Sequence, residues 1–259
     1  MHNRKNSINR CKIYRKKILE ISRNVSALHI GGSFSATEIL DVIYNDFLKK
    51  NNKDKFILSK GHAGILQYVI LNYRKIINDK TLNSYCKKNS ILGVHPDYEI
   101  PGVEAATGSL GHGLAISAGM AMAKKKSIYY VVMSDGELQE GSVWEAALFI
   151  SSNNLKNIVV VVDYNGFQSS TKTLDTHPTL HPIDKKFKYF GWETQTCDGH
   201  NSNEIFKKIS KRSRKKPFAL IANTKKGFPV TFMMNDPKWH YRSPNNKEYF
   251  LALKEIDKI

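Results

Sequence analysis

Two side chains, Asp135 and Asn165, carry the strongest chemical signal in this 259-residue chain. Asp135 stands in Ser134-Asp135-Gly136-Glu137 after an apolar run, and Asn165 closes Asp163-Tyr164-Asn165 after a second apolar run at 158–162. Between them lie Glu140-Gly141 and Trp144-Glu145-Ala146. Two runs of strand length around a helix-length segment read as one β-α-β unit with parallel strands. Both residues then emerge at carboxyl ends of strands, the edge at which open parallel sheets bind ligands. A carboxylate and an amide oxygen converging there suit a hard divalent cation, and a nearby helix N-terminus suits a phosphate. The pattern describes a site for a metal-bridged diphosphate. Alone, Asp135-Gly136 would read first as a helix N-cap; Asn165 at the next strand end shifts the reading to a metal.

The elements that must position this pair follow from periodicity. Helices are expected over 8–30, ended by Gly31-Gly32, and over 37–47. A strand at 56–58 leads into the turn Lys60-Gly61-His62, and 64–71, apolar nearly all round, is a buried helix. Residues 93–107 are turn-rich and expected to line the site, and 114–123 is a helix of small residues. Further strands fall at 128–133, 158–162, 193–196 and 218–223, with a turn at Gly227 and an extended tail from about 227. Helices alternating with strands give an α/β fold: a doubly wound, mostly parallel sheet with helices on both faces, in a single domain over 1–259.

The Asp135–Asn165 stretch resembles the thiamine diphosphate signature, which opens Gly-Asp-Gly and ends in asparagine. Other segments fall in order around it: His29-Ile30-Gly31-Gly32, Leu58-Ser59-Lys60-Gly61-His62-Ala63, Gly93-Val94-His95-Pro96, Pro101-Gly102-Val103-Glu104, Thr107-Gly108-Ser109-Leu110-Gly111-His112-Gly113 and Trp239-His240. Together they are similar to the amino-terminal, diphosphate-binding half of the transketolase family. The resemblance implies thiamine diphosphate and Mg2+ (or Ca2+) as cofactors. The implied metal ligands are the Asp135 carboxylate, the Asn165 side-chain oxygen and the Phe167 main-chain carbonyl. Implied cofactor contacts are His62, Gly108, Ser109, Leu110, Asp135, Gly136, Glu137, Asn165 and His240. His29, His62, His95 and His240 would handle substrate hydroxyl protons, for which imidazole is suited near neutral pH. Glu140 would lie at a subunit interface near the cofactor's pyrimidine, supported by Trp144 and Glu145. His112 is a weaker candidate, and His2, His177, His181 and His200 read as surface or satisfied core histidines.

The implied reaction is transfer of a two-carbon ketol unit from a ketose to an aldose. The family's pyrimidine-binding domain is not found before Ile259, so the resemblance implies a two-polypeptide enzyme. Its partner would be a carboxyl-terminal transketolase subunit, with two copies of each chain and sugar or sugar-phosphate substrates. The alternatives are a component of a thiamine-dependent 2-oxo acid decarboxylase or dehydrogenase, and a non-catalytic partner subunit. Three departures from the family pattern stand out. Ser134 replaces a glycine, at a cost on the order of 1–2 kcal/mol if the position requires positive φ. Ser169-Ser170-Thr171 follows Gln168, and Tyr241 replaces the glycine after Trp-His. A tyrosine at the rim points to a sugar other than the ordinary pentose phosphates.

Composition excludes more than it selects. A hydrophobic content of 41% supports a packed core, and no apolar run approaches the roughly 20 residues needed to span a bilayer. The basic amino terminus is followed by no apolar segment and reads as an amphipathic helix with Ile13, Ile18 and Ile21 on one side, not as a secretory signal. Three widely spaced cysteines make no disulfide framework or zinc set and suit a reducing, cytoplasmic setting. The net charge of +17 is mostly lysine, with only eight arginines among 40 basic residues. Its densest clusters, 124–126 and 211–216, contain no aromatic side chain and fall where helices end. Nucleic acid is therefore a poor candidate partner.

Overall fold

The computed structural model describes residues 2–48 and 53–259. Helix α1 (Arg4–Ser22) begins where the Asn3 side chain accepts the Asn6 amide, and it buries Tyr14, Ile18, Leu19 and Ile21. Ile13 does not join that stripe and is 47% exposed, because it lies one position, about 100° of helix, away from Tyr14. The helix ends well before the glycine pair. Gly31 and Gly32 lie inside the next helix, α2 (Ile30–Ser35), rather than breaking one. A Cβ on Gly31 would stand 2.7 Å from the Trp239 carbonyl, so close approach of another segment is what glycine permits there. Helix α3 (Thr37–Val42) follows and ends in a wider turn over Ile43–Phe47.

The rest of the chain alternates as the periodicity demands. In order come β1 (Lys55–Leu58), α4 (Gly64–Tyr73), α5 (Asp79–Leu82), α6 (Gly113–Ala123), β2 (Tyr129–Ser134), α7 (Gly141–Ser152) and β3 (Ile158–Tyr164). A small antiparallel hairpin, β4 (Phe167–Gln168) with β5 (Thr171–Lys172), precedes α8 (Thr173–Thr176) and α9 (Ile183–Tyr189). Then come β6 (Glu193–Asp198), α10 (Ser202–Ser210), β7 (Phe218–Asn223) and α11 (Asn246–Asp257). The main sheet has the order β1-β2-β3-β7-β6, and every pairing is parallel.

Strand alternation sorts the core into two layers. Tyr130, Val132, Val159, Val161, Phe218 and Leu220 face one side, where α1, α3, α4, α10 and α11 pack. Tyr129, Val131, Met133, Val160, Val162 and Ile221 face the other, covered by α6, α7 and α9. The segment after Gly227 is not the extended tail expected. It turns back, buries Trp239, and ends in α11, which starts with a capping box between Asn245 and Glu248 and packs on α1.

Close packing of α6 onto β1 yields a test. A Cβ on Gly113 would lie 2.6 Å from Ser59 Cβ, whereas one on Gly119 would meet nothing within 4 Å. Gly113→Ala is expected to destabilise the chain by about 1–3 kcal/mol. Gly119→Ala should stabilise it by about 0.5–1 kcal/mol. Chemical denaturation of both variants checks this, and equal effects would contradict the packing described.

Candidate active site

All strands of the main sheet end on one edge, and the loops leaving β1, β2, β3 and β7 converge there. At its centre is Asp163, near the end of β3 and fully buried. Its Oδ2 accepts from Lys60 Nζ at 2.5 Å and from Ser35 Oγ at 2.6 Å, and Thr224 Oγ1 donates to Oδ1. Lys60, also fully buried, donates a second bond to the Gly32 carbonyl at 2.9 Å. A buried ion pair is tolerable only when its remaining donors and acceptors are bonded in this way.

Asp135 leaves β2 one position beyond Ser134, which is paired in register with Asp163. Its Oδ2 accepts from the Gly166 amide and from Thr173 Oγ1, both at 3.0 Å. Its Oδ1 is buried with no hydrogen-bond partner. Burial, and next the Asp163 charge, push the Asp135 pKa up to about 7 against the opposing Thr173 bond. Asn165 is buried beside it, with Nδ2 toward Ser35 Oγ (3.3 Å) and the Asp163 carboxylate (3.4 Å). Its amide oxygen accepts the Phe167 amide at 3.0 Å. The orphaned, buried Asp135 carboxylate oxygen fits a hard cation such as Mg2+ or Ca2+. Among the described residues no group of three His, Cys, Asp or Glu side chains could hold a metal. A cation at Asp135 therefore depends on amide, main-chain and ligand oxygens.

At this edge opens a cavity of about 210 Å3, lined by His62, Gly108, Leu110, Gly136, Asn165, Phe167 and His240 of the expected residues, while Asp135 lies behind its lining neighbours Ser134 and Gly136. Ser134, a serine able to donate to a diphosphate, lines it too, as do Gly32, Gln168, Ser169 and Lys226, to which the sequence pattern assigned no binding role. Lys226 is the most informative of these. It is buried, its Nζ donates to the Ser169 carbonyl (2.7 Å), and it lies 3.2 Å from His240 Nδ1. Because the ammonium can only donate, His240 Nδ1 accepts and the ring proton sits on Nε2. Burial and the neighbouring Lys60 lower the Lys226 pKa to about 8.

The four expected histidines do come together. The His29 ring centroid lies 5.0 Å from that of His240, 5.4 Å from His62 and 6.2 Å from His95. Burial, reinforced by neighbouring imidazoles and lysines, lowers His29 to about 3, and burial followed by Lys226 lowers His240 to about 4. His62 is driven well down by burial and Lys60. These rings are neutral at physiological pH, so each can donate through one nitrogen and accept through the other. His29 Nδ1 is buried without a partner. Tyr241 is half-exposed, with its ring 4.6 Å from that of His29.

Some expected residues sit elsewhere. Glu137 is turned inward, away from the cavity, and its carboxylate accepts from Ser59 Oγ (2.5 Å), the Gly111 amide (2.9 Å) and the Ser134 amide (3.4 Å). It braces the glycine loop rather than offering a free group to a ligand. Ser109 is exposed beside the cavity but does not line it. Glu140 is exposed at the N-cap of α7. Gly136 has ordinary negative φ, and its missing Cβ makes room for Gln168 at 3.0 Å. Ser134 is a strand residue outside the left-handed region, so the conformational cost expected of it does not arise. Its hydroxyl accepts the Glu137 amide at 3.3 Å.

A parallel three-layer domain with this edge site belongs to the class of cofactor-binding α/β folds. Residues 6–248 match the family model for the transketolase thiamine diphosphate binding domain. The chain is 36% identical over 256 residues to an apulose-4-phosphate transketolase subunit of Phocaeicola vulgatus, covering 93% of this chain and 90% of that protein. It is 31% identical to the 6-deoxy-6-sulfo-D-fructose transketolase subunit SqwG of a Clostridium species, covering 95% and 94%. The fold matches the crystal structure of transketolase from Campylobacter jejuni with a TM-score of 0.86 at 24% identity, over 97% of this chain and 42% of that one. The chain thus spans about two fifths of that solved transketolase. The chain belongs to the transketolase family and comprises its thiamine diphosphate binding domain. Its chemistry is that family's thiamine-dependent group transfer.

The depressed histidines carry a pH signature. Unfolded, they bind protons from about pH 6.5 downward; folded, His29 and His240 do so only near 3 and 4. Between these limits the unfolded chain binds more protons, so stability falls as pH falls. The melting temperature should drop between pH 6.5 and 4.5, and less steeply in the His29→Asn/His240→Gln variant. An identical slope in both proteins would contradict the buried neutral assignment.

Proposed function

We propose that this chain is the diphosphate- and metal-binding subunit of a two-chain transketolase that moves a two-carbon ketol unit from a ketose to an aldose. The observation that carries the metal assignment is the buried, unpartnered Asp135 Oδ1, on a carboxylate whose other oxygen accepts the amide of Gly166, the residue after Asn165. Asp135, Asn165 and the Phe167 carbonyl would hold Mg2+ or Ca2+. Lys226, with Lys60 behind it, would offset the charge of the diphosphate, and His62, His240, Gly108, Leu110 and Gly136 would contact the cofactor. Bound there, thiamine diphosphate supplies the electron sink for carbon–carbon cleavage. The neutral cluster of His29, His62, His95 and His240 would grip substrate hydroxyls and move their protons, each ring donating and accepting without a change of net charge.

The partner assignment is supported by relatives named as subunits whose length this chain matches nearly end to end. It is further supported by an apolar face that α6 and α7 leave open, where Ile116, Met122, Leu148 and Phe149 are 37–53% exposed. Glu140 lies at the α7 end of this face and would meet the pyrimidine-binding subunit. We assign two copies of each chain, and a cytoplasmic setting that suits three cysteines free of disulfides. The relatives' names specify ketoses bearing a phosphate or a sulfo group. With Tyr241 over His29, they favour a ketose with an anionic end that differs from the ordinary pentose phosphates.

Two measurements test this function. Calorimetric titration of thiamine diphosphate with Mg2+ should show binding that tightens when the partner subunit is added and weakens by about 100-fold or more in Asp135→Ala. Metal-independent binding, or an unaffected variant, would refute the site. In the assembled enzyme, Tyr241→Gly should raise turnover of xylulose 5-phosphate with ribose 5-phosphate by about tenfold. An unmodified enzyme that already uses that pair efficiently would refute the specificity assignment.

A further inference from the structure

Outside the cavity, His200 has both ring nitrogens committed. It follows β6 in the turn Asp198-Gly199-His200, and its side chain is only 10% exposed. Its Nε2 accepts the backbone N–H of Lys225 at 2.9 Å, and its Nδ1 lies 3.1 Å from Glu38 Oε2. A main-chain N–H can only donate, so Nε2 carries no proton and Nδ1–H donates to the carboxylate. Glu38 is itself fixed by two bonds from buried Arg15, at 2.6 and 2.8 Å. The His200 ring stacks on Phe228 with centroids 3.8 Å apart. The turn is pinned as well. The Gly199 amide donates to the Asn223 carbonyl at 2.7 Å, and a Cβ on Gly199 would meet that oxygen at 3.0 Å.

We infer that His200 is a positioning residue for the active site: through the Lys225 amide it fixes the loop after β7 so that the next residue, Lys226, holds its ammonium in the cavity against His240 and Ser169. The line of contacts runs from Arg15 on α1 through Glu38 on α3 and His200 to Lys225. Among the described residues Lys226 has no carboxylate bonded to it; its Nζ bonds to a carbonyl and an imidazole. Its placement therefore depends on its backbone. The step from Lys226 to cofactor affinity rests on the function proposed above, whereas the positioning itself does not.

Two substitutions separate the ring nitrogens. In His200→Gln a side-chain oxygen takes the place of Nε2 and can accept the Lys225 amide. In His200→Asn the amide nitrogen takes the place of Nδ1 and can donate to Glu38, but nothing reaches Lys225. Hydrogen–deuterium exchange of the 225–227 backbone in the full chain, with melting temperatures of all three proteins, is read first. We expect exchange about tenfold faster in His200→Asn and close to the unmodified rate in His200→Gln. Thiamine diphosphate affinity with Mg2+ in the two-subunit enzyme should weaken about tenfold in His200→Asn alone. Unchanged exchange in His200→Asn, or equal acceleration in both variants, overturns the inference. The expected exchange pattern with no cofactor binding in any of the three proteins would support the positioning and refute the cofactor site.

Discussion

The buried pair of Lys60 and Asp163 is the interaction on which the rest of the site depends. Taking two charges out of water costs several kcal/mol per ion, and that cost is offset only by a full set of partners. Asp163 obtains them from Lys60 after β1, Ser35 on α2 and Thr224 after β7, with Asn165 at 3.4 Å. Satisfying one carboxylate therefore fixes the ends of β1, β3 and β7 and the start of the helical layer relative to one another. Parallel register brings Ser134 opposite Asp163, so the chain leaving β2 places Asp135 within the field of that anion.

The consequence is an unequal pair of acids. Asp163 is neutralised within the protein and organises the edge. Asp135 keeps one oxygen bonded and the other without a partner. An unpaired buried acceptor is destabilising to the isolated chain, by roughly 1–3 kcal/mol or more for a charged group. Such a deficit is most simply relieved by a cation. Around it the electrostatics divide in two. Lysine charge is supplied by Lys226 on the cavity wall and by Lys60 buried at the same strand edge, and a cluster of neutral imidazoles includes His62 and His240 of the cavity lining. The first suits an anionic ligand; the second suits proton movement without creating further charge.

Much of this was legible in the chain. The apolar runs marked the strands ending at Asp135 and Asn165, and ordered motifs brought His29, His62, His95 and His240 into one place. What escaped was tertiary. Lys60 and Asp163 each stand inside a motif, but nothing local shows that a lysine and an aspartate about a hundred positions apart share one buried bond. Lys226 lies in a lysine-rich segment, where a buried cavity residue looks like its solvated neighbours. Glu137 looked like a cofactor contact because of its place in the signature, and only the fold shows its oxygens engaged by Ser59 and Gly111. Gly31-Gly32 resembled a break because the carbonyl of Trp239, some two hundred residues away, is invisible locally. The final helix does carry a local signal, since Asn245 three residues before Glu248 is a capping box.

On this reading Asp135, and not its better-bonded neighbour Asp163, holds the cation. Anomalous diffraction from crystals of the assembled enzyme grown with Mn2+ in place of Mg2+ and with thiamine diphosphate would test it most directly. One Mn2+ peak is expected within ligand distance of Asp135 Oδ1, the Asn165 side-chain oxygen and the Phe167 carbonyl, with the Lys60–Asp163 bond intact. A peak ligated by Asp163, or cofactor bound with no metal at this edge, would contradict it.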